Sequence, residues 1–241
     1  MQIIEKLARK TRDIGGSEGV TIAFLGDSVT QGCFELYKKE NDRIETEFDK
    51  RYSYERYLFD ILCTLYPEAT VNIINAGISG DTAPRGALRL DRDVIRHQPD
   101  LTVVCYGLND CRSKPESVGN YLSALGTIFE KLRAAGSEII FMTPNMMATK
   151  VSPRLTDPDF IETAEKLSRL QTEGYMDAHI EAAEKLCAAQ NVPVCDCYAI
   201  WKKMDESGVD VTELLANRIN HPTREMNRLF AVELARTMLF N

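Results

Sequence analysis

The 241-residue sequence predicts an α/β protein, a three-layer α/β/α sandwich around a five-stranded parallel sheet in the flavodoxin-like order 2-1-3-4-5. Three observations carry this. Short apolar runs alternate with longer amphipathic stretches. Most of the runs are rich in β-branched residues, as strands are. Polar, glycine-rich turns follow the first three runs, at the strand ends where open parallel sheets bind ligands.

The elements follow in order. Residues 1–16, MQIIEKLARKTRDIGG, mix charged and apolar residues at helical spacing and contain no uninterrupted apolar core, unlike a secretory leader. The strand candidates are Val20–Leu25, Val71–Asn75, Leu101–Tyr106, Glu138–Met142 and Val192–Cys195. Between them, Tyr54–Tyr66 places Tyr57, Leu58, Ile61, Leu62 and Leu65 on one helical face, and Tyr121–Ala134 does the same with Leu122, Leu125, Ile128, Phe129 and Leu132. Tyr175–Ala189 and Arg224–Leu239 share the 3.6-residue period. Strands alternating with such helices require right-handed crossovers and a sheet covered on both faces. No repeat or composition break marks a linker, so residues 1–241 are expected to form one domain. Two stretches stand outside the alternation, the charged segment Cys33–Arg51 and the proline-bearing segment Pro144–Ser168. Both follow strands, where insertions shape binding sites.

Composition narrows the function. Lys+Arg 29 against Asp+Glu 36 gives a net charge of −7, which argues against phosphate-mediated nucleic-acid binding and against docking on an anionic membrane. No run reaches the ~18 apolar residues that span a bilayer. Seven cysteines, an odd number with several inside apolar runs, fit reduced thiols and hence a cytoplasmic location. Oligomeric state has no signature in the sequence.

The chemistry sits at the strand ends. The turns are Gly26-Asp27-Ser28-Val29-Thr30, then Asn75 to Thr82 with Gly77 and Gly80, then Gly107-Leu108-Asn109-Asp110. In the expected strand order all three converge on one crevice. Acyl transfer needs a hydroxyl nucleophile, a base and donors for the oxyanion. Ser28 lies in a sharp strand-to-helix turn, with its own N–H unpaired at the helix start. Gly80 has no side chain to shield its N–H, and Asn109 offers a side-chain amide. The base is expected to be a histidine. His97 reads as a cation at a helix C-terminus, away from the site. His179 reads as a solvent-facing helix residue. His221, in a loop before the last helix and followed by Pro222, is the remaining choice.

Ser28, Gly80, Asn109 and His221 are the four letters of the SGNH hydrolase (GDSL esterase/lipase) superfamily. The chain resembles it in four blocks in family order: Gly26-Asp27-Ser28-Val29, Asn75–Thr82, Gly107-Leu108-Asn109-Asp110 and His221-Pro222. Val29 stands where the family name has leucine. The resemblance implies a serine esterase acting on a small-molecule ester or thioester, with no metal and no organic cofactor. Ser28 would be the nucleophile, His221 the base, and Ser28 N–H, Gly80 N–H and the Asn109 amide the oxyanion hole. One position departs from the pattern. The family usually has an aspartate three residues before the histidine, and here Arg218 occupies it. A backbone carbonyl, Asn217 or an acid such as Asp210 or Glu213 must then fix the imidazole; Asn217 and Asn220 are carried as supporting residues.

The remaining residues have structural readings. Asp27 and Asp110 are expected to bond backbone amides in their turns, and Asp81-Thr82 to cap the helix that follows. Cys195 and Cys197 read as buried thiols, since a tetrahedral metal site needs about four ligands. Cys33 and Cys111 follow site turns and are expected at the pocket. Among ester substrates, O-acetyl groups on a carbohydrate are preferred. A thioesterase or short-chain lipase is the nearest rival, and a ligand-binding member lacking the usual acid is the alternative from another class. A flavin or nucleotide binder finds no support beyond the glycines.

Overall fold

The computed structural model describes residues 1–40, 42–112 and 117–241. Its central sheet is parallel and contains β1 (Val20–Gly26), β4 (Val71–Gly77), β5 (Leu101–Cys105), β6 (Glu138–Met142) and β7 (Val194–Cys195) in the order β4-β1-β5-β6-β7. Counting only these strands, that is the expected 2-1-3-4-5. The last strand is shorter than predicted because Pro193 has no N–H to donate, although its carbonyl still accepts from Phe141 N at 3.0 Å.

β1 shows how the layers form. It is buried on both faces, and alternate residues serve opposite cores. Ile22 and Phe24 join the side covered by α1 (Gln2–Arg12), α3 (Tyr54–Leu65), α8 (Cys197–Glu206) and α9 (Arg224–Phe240), with Leu7, Leu58, Trp201 and Phe230. Ala23 and Leu25 join the side covered by α4 (Ala83–Asp93), α5 (Ser117–Ala134) and α7 (Tyr175–Ala189), with Leu90, Leu125, Phe129 and Ala183. The predicted face of α3 is only partly correct. Tyr54, Leu58 and Leu62 are buried, whereas Tyr57 and Ile61 sit half-buried at its edge and Leu65 is exposed.

Both irregular stretches have structure. Cys33–Arg51 contains an antiparallel hairpin, β2 (Cys33–Lys38) paired with β3 (Ile44–Phe48); position 41 lies outside the described residues. Pro144–Ser168 begins as a buried extended segment and continues into α6 (Pro158–Thr172). Lys38 joins the two, with its Nζ 2.9 Å from Asp157 and 2.6 Å from Asp159.

Two features bring the strand ends together. Gly77 lets the short helix α2 (Ser28–Gln31) pack on the end of β4, since a Cβ there would lie 2.3 Å from Gln31 N. Arg89 then locks three strands at once. It is 8% exposed, while its neighbour Leu88 is 87% exposed, the reverse of their polarity. Its guanidinium donates to the carbonyls of Ala76 (2.6 Å) and Gly26 (3.1 Å), at the ends of β4 and β1. It also donates to the Tyr106 hydroxyl (3.0 Å), just past β5. Asp81, 1% exposed, is its counter-ion at 2.6 Å. The expected cap is thereby reassigned. Asp81 pairs with Arg89, Thr82 makes no side-chain cap bond, and Asp110 Oδ1 instead accepts Ala83 N at 2.9 Å. Removing Arg89 leaves the exposed Arg85, at 3.4 Å, as the cation beside the buried Asp81, so Arg89→Met is expected to cost ~3–5 kcal/mol of stability, read by urea unfolding. A loss below ~1 kcal/mol would show that the strand ends hold without it.

Candidate active site

The four predicted residues meet at the carboxyl ends of the strands. Asp27 precedes α2, and its Oδ1 accepts Val29 N at 3.0 Å, which sets the sharp turn that presents Ser28. The turn after β4 docks alongside: Ile78 N donates to Gly26 O at 3.1 Å and Ser79 N to Gln31 Oε1 at 2.6 Å. Gly80 then adopts φ +73°, a backbone region that glycine enters freely. Among the described residues, neither Ser28 N–H nor Gly80 N–H has an intramolecular acceptor. The turn after β5 completes the floor. Asn109 Nδ2 donates to Asp81 O at 2.9 Å and to Asp27 Oδ2 at 3.2 Å. Both contacts come from the one side-chain amide, and the contact to Asp27 is the longer.

His221 sits between two partners. Its Nε2 lies 3.0 Å from Ser28 Oγ, 193 positions away in the chain, and its Nδ1 lies 2.9 Å from the backbone carbonyl of Phe34. A carbonyl only accepts, so Nδ1 carries the hydrogen and Nε2 faces the Ser28 hydroxyl as an acceptor. The group facing the second nitrogen is therefore the backbone carbonyl, and the other candidates are placed elsewhere. Asn217 Oδ1 accepts the backbone amides of Ile219, Asn220 and His221 at 3.0, 2.9 and 3.0 Å, and its Nδ2 donates to Asn220 Oδ1. It shapes the loop rather than the ring. Asn220 O in turn accepts from Asn145 Nδ2 at 2.9 Å. Arg218, at φ 58°, turns to Glu213 at 3.1 Å, and Asp210 pairs with Lys150 at 2.6 Å.

Burial sets the protonation states. Ser28 and His221 are each 4% exposed. Desolvation pushes His221 down to about 4, outweighing the Phe34 carbonyl bond that favours its charged form; Arg112 lowers it further and Glu35 raises it. A free imidazole titrates near neutrality, and burial shifts this one toward its neutral form. Desolvation also lifts Asp27 to about 7 and Asp110 to about 6, and both carboxylates bond turn amides as expected. Cys33 and Cys111 are buried, and desolvation pushes both thiols up to about 12, toward the protonated form. Cys195 and Cys197 are buried with sulfurs 3.7 Å apart. Among the described residues no group of three His, Cys, Asp or Glu is placed to hold a metal ion. His97 is exposed at the end of a 3₁₀ turn. His179 is not on the solvent face: it is 1% exposed, bonded to Tyr175 O and packed on Tyr121.

The sequence reading misses Phe34 and Arg89. Strict alternation in Ile44-Glu45-Thr46-Glu47-Phe48 was the available signal for the hairpin that carries Phe34.

A profile of the GDSL-like lipase/acylhydrolase family matches residues 24–229. An acetylxylan esterase of Geobacillus stearothermophilus is 27% identical over 140 residues, 52% of this chain and 60% of that protein. An arylesterase of Vibrio mimicus is 34% identical over 73 residues, 30% of this chain and 36% of that protein. The alignments thus span less than two thirds of either relative. The crystal structure of the Geobacillus enzyme Axe2 superposes with a TM-score of 0.67 at 21% identity, covering 93% of this chain and 96% of that one. A two-domain esterase active on acetylated mannans also gives 0.67 at 16% identity, over 98% of this chain and 52% of that one.

The proton assignment is directly measurable. In a ¹⁵N–¹H NMR titration, His221 is expected to stay neutral with Nδ1 protonated from pH 8 down to 5, and to charge only near 4. A midpoint at 6 or above would refute the desolvation argument.

Proposed function

The chain belongs to the GDSL-like lipase/acylhydrolase family, and on that footing we propose that it is a serine esterase cleaving small acyl esters, O-acetyl groups on a carbohydrate foremost. The single observation that carries the proposal is the imidazole of His221 suspended between Ser28 Oγ and the Phe34 carbonyl. Ser28 Oγ attacks the acyl carbon while its proton passes to His221 Nε2. The oxyanion is received by the amides of Ser28 and Gly80, joined by Asn109 Nδ2 as it leaves Asp27. His221 then protonates the departing alkoxide, and water, activated by the same nitrogen, releases the acid from Ser28.

The Phe34 carbonyl holds the correct tautomer, which is part of what a triad carboxylate does; replacing that acid in a serine protease costs ~10⁴-fold, but there the tautomer is also wrong. The carbonyl supplies a dipole and not a full charge, so a part of that loss remains. The acetyl preference draws on the acetylxylan and acetylmannan esterases that this chain resembles, and on the narrow exposure of Ser28 and His221. The proposal includes residues 1–241 acting as one domain. It also includes a cytoplasmic setting, suited to seven free cysteines. Among the described residues no helix is long and apolar enough to cross a membrane.

A p-nitrophenyl ester series decides the acyl class. Activity is expected to peak at acetyl, and a peak at eight carbons or more would favour the lipase reading. Ser28→Ala and His221→Ala should each lose at least ~10³-fold, whereas Arg218→Ala, whose side chain faces Glu213, should keep most activity. The reaction needs neutral His221, so kcat/KM should be lost as pH falls through about 4. A limb near 7 that vanishes in Asp27→Asn would report Asp27 instead.

A further inference from the structure

The Phe34 carbonyl is free for His221 because the hairpin ladder is broken there. Cys33 pairs with Phe48 and Leu36 with Thr46, and the register shifts between them. A bulge of this kind leaves backbone groups unpaired and re-aims them. Something must hold the re-aimed carbonyl in place, and Arg224 is the side chain positioned to do it. Its guanidinium carbon lies 4.3 Å over the Phe34 ring. Its two terminal nitrogens grip the Glu35 carboxylate at 2.6 and 3.1 Å, and its Nε stands 3.8 Å from Asp49, just past β3.

Arg224 also stands three residues after His221 and opens α9. Pro222 fixes its own φ, and the Thr223 side chain caps α9 by accepting Met226 N at 3.3 Å. Base and clamp therefore share one stiff stretch of backbone. We propose that Arg224 is a positioning residue for the general base, holding Phe34 and Glu35 so that the Phe34 carbonyl stays on His221 Nδ1. The inference rests on the Ser28–His221 reading above and assigns it a third component, on the last helix and the hairpin. Half-exposed ion pairs contribute little to stability, so the clamp's effect falls on geometry. Glu35 adds a second effect. Its charge favours the imidazolium, against Arg112, which opposes it.

The test compares Arg224→Leu, Arg224→Lys and Glu35→Gln with Ser28→Ala on p-nitrophenyl acetate. Arg224→Leu is expected to lower kcat ~10–100-fold, the size of effect a small misplacement produces, with KM within about twofold. Arg224→Lys keeps the charge but loses the two-pronged grip and the planar stack, and should restore only part. Glu35→Gln should move the acid limb to lower pH. The decisive readout is the tautomer. In Arg224→Leu, the His221 Nδ1–H resonance should weaken as an Nε2–H population appears, an outcome that a merely structural role would not produce. If Arg224→Leu does not fold, the Arg224→Lys tautomer and the Glu35→Gln limb decide. If Ser28→Ala abolishes activity while kcat and the Nδ1–H signal survive in the clamp variants, this proposal fails alone. If Ser28→Ala stays active, the esterase reading itself fails.

Discussion

A buried cation holds the molecule's working end together. Arg89 lies where three strands finish, and its guanidinium donates to main-chain carbonyls from two of them and to a phenol beside the third. A planar fork with five donors suits that task, because a strand end offers acceptors and no spare donors. The charge is tolerable only with counter-ions, and Asp81 supplies the nearer one, with Asp93 at 3.2 Å. Asp81 then passes the constraint on: its carbonyl receives Asn109, whose amide reaches across to Asp27 beside the serine. The three turns are thus spaced by one hydrogen-bonded chain that starts at a single side chain on α4.

The site is built from low-dielectric surroundings and neutral partners. Burial pushes the imidazole and the neighbouring carboxylates toward their uncharged forms, and the acceptor on the second imidazole nitrogen is a peptide carbonyl. Under the proposed mechanism, such a site does not depend on a fixed anion beside the imidazole. It depends on a backbone atom staying in place. The hairpin is anchored twice, by Arg224 near its bulge and by Lys38 to the start of α6.

What the sequence revealed follows a physical division. That Ser28, Gly80, Asn109 and His221 would meet was legible because each is marked by a particular side chain, or by the lack of one, in a strand-end turn or in the loop before the last helix. The sheet order was legible because buried parallel strands read as apolar runs. Phe34 was not legible: it acts through its carbonyl, which any residue would present. Arg89 was hidden because a charged residue in an amphipathic helix reads as outward, and here Leu88 takes the water instead. His179 was a different kind of miss. Met176, Ile180 and Ala183 are all buried, and His179 lies on the same stripe, so the periodicity that defined the helix also placed its histidine inside.

The bulged hairpin redistributes which changes the chain can tolerate. Position 218 does not face the imidazole, and its side chain turns to Glu213 instead. The hairpin carries that burden. Surface ribbons ordinarily accommodate added or lost residues, but changing the length of this one by a single residue would swing a different peptide group toward the imidazole. Directed-evolution libraries meant to reshape the surroundings of Ser28 and His221 should therefore randomise side chains along the ribbon while leaving its residue count untouched.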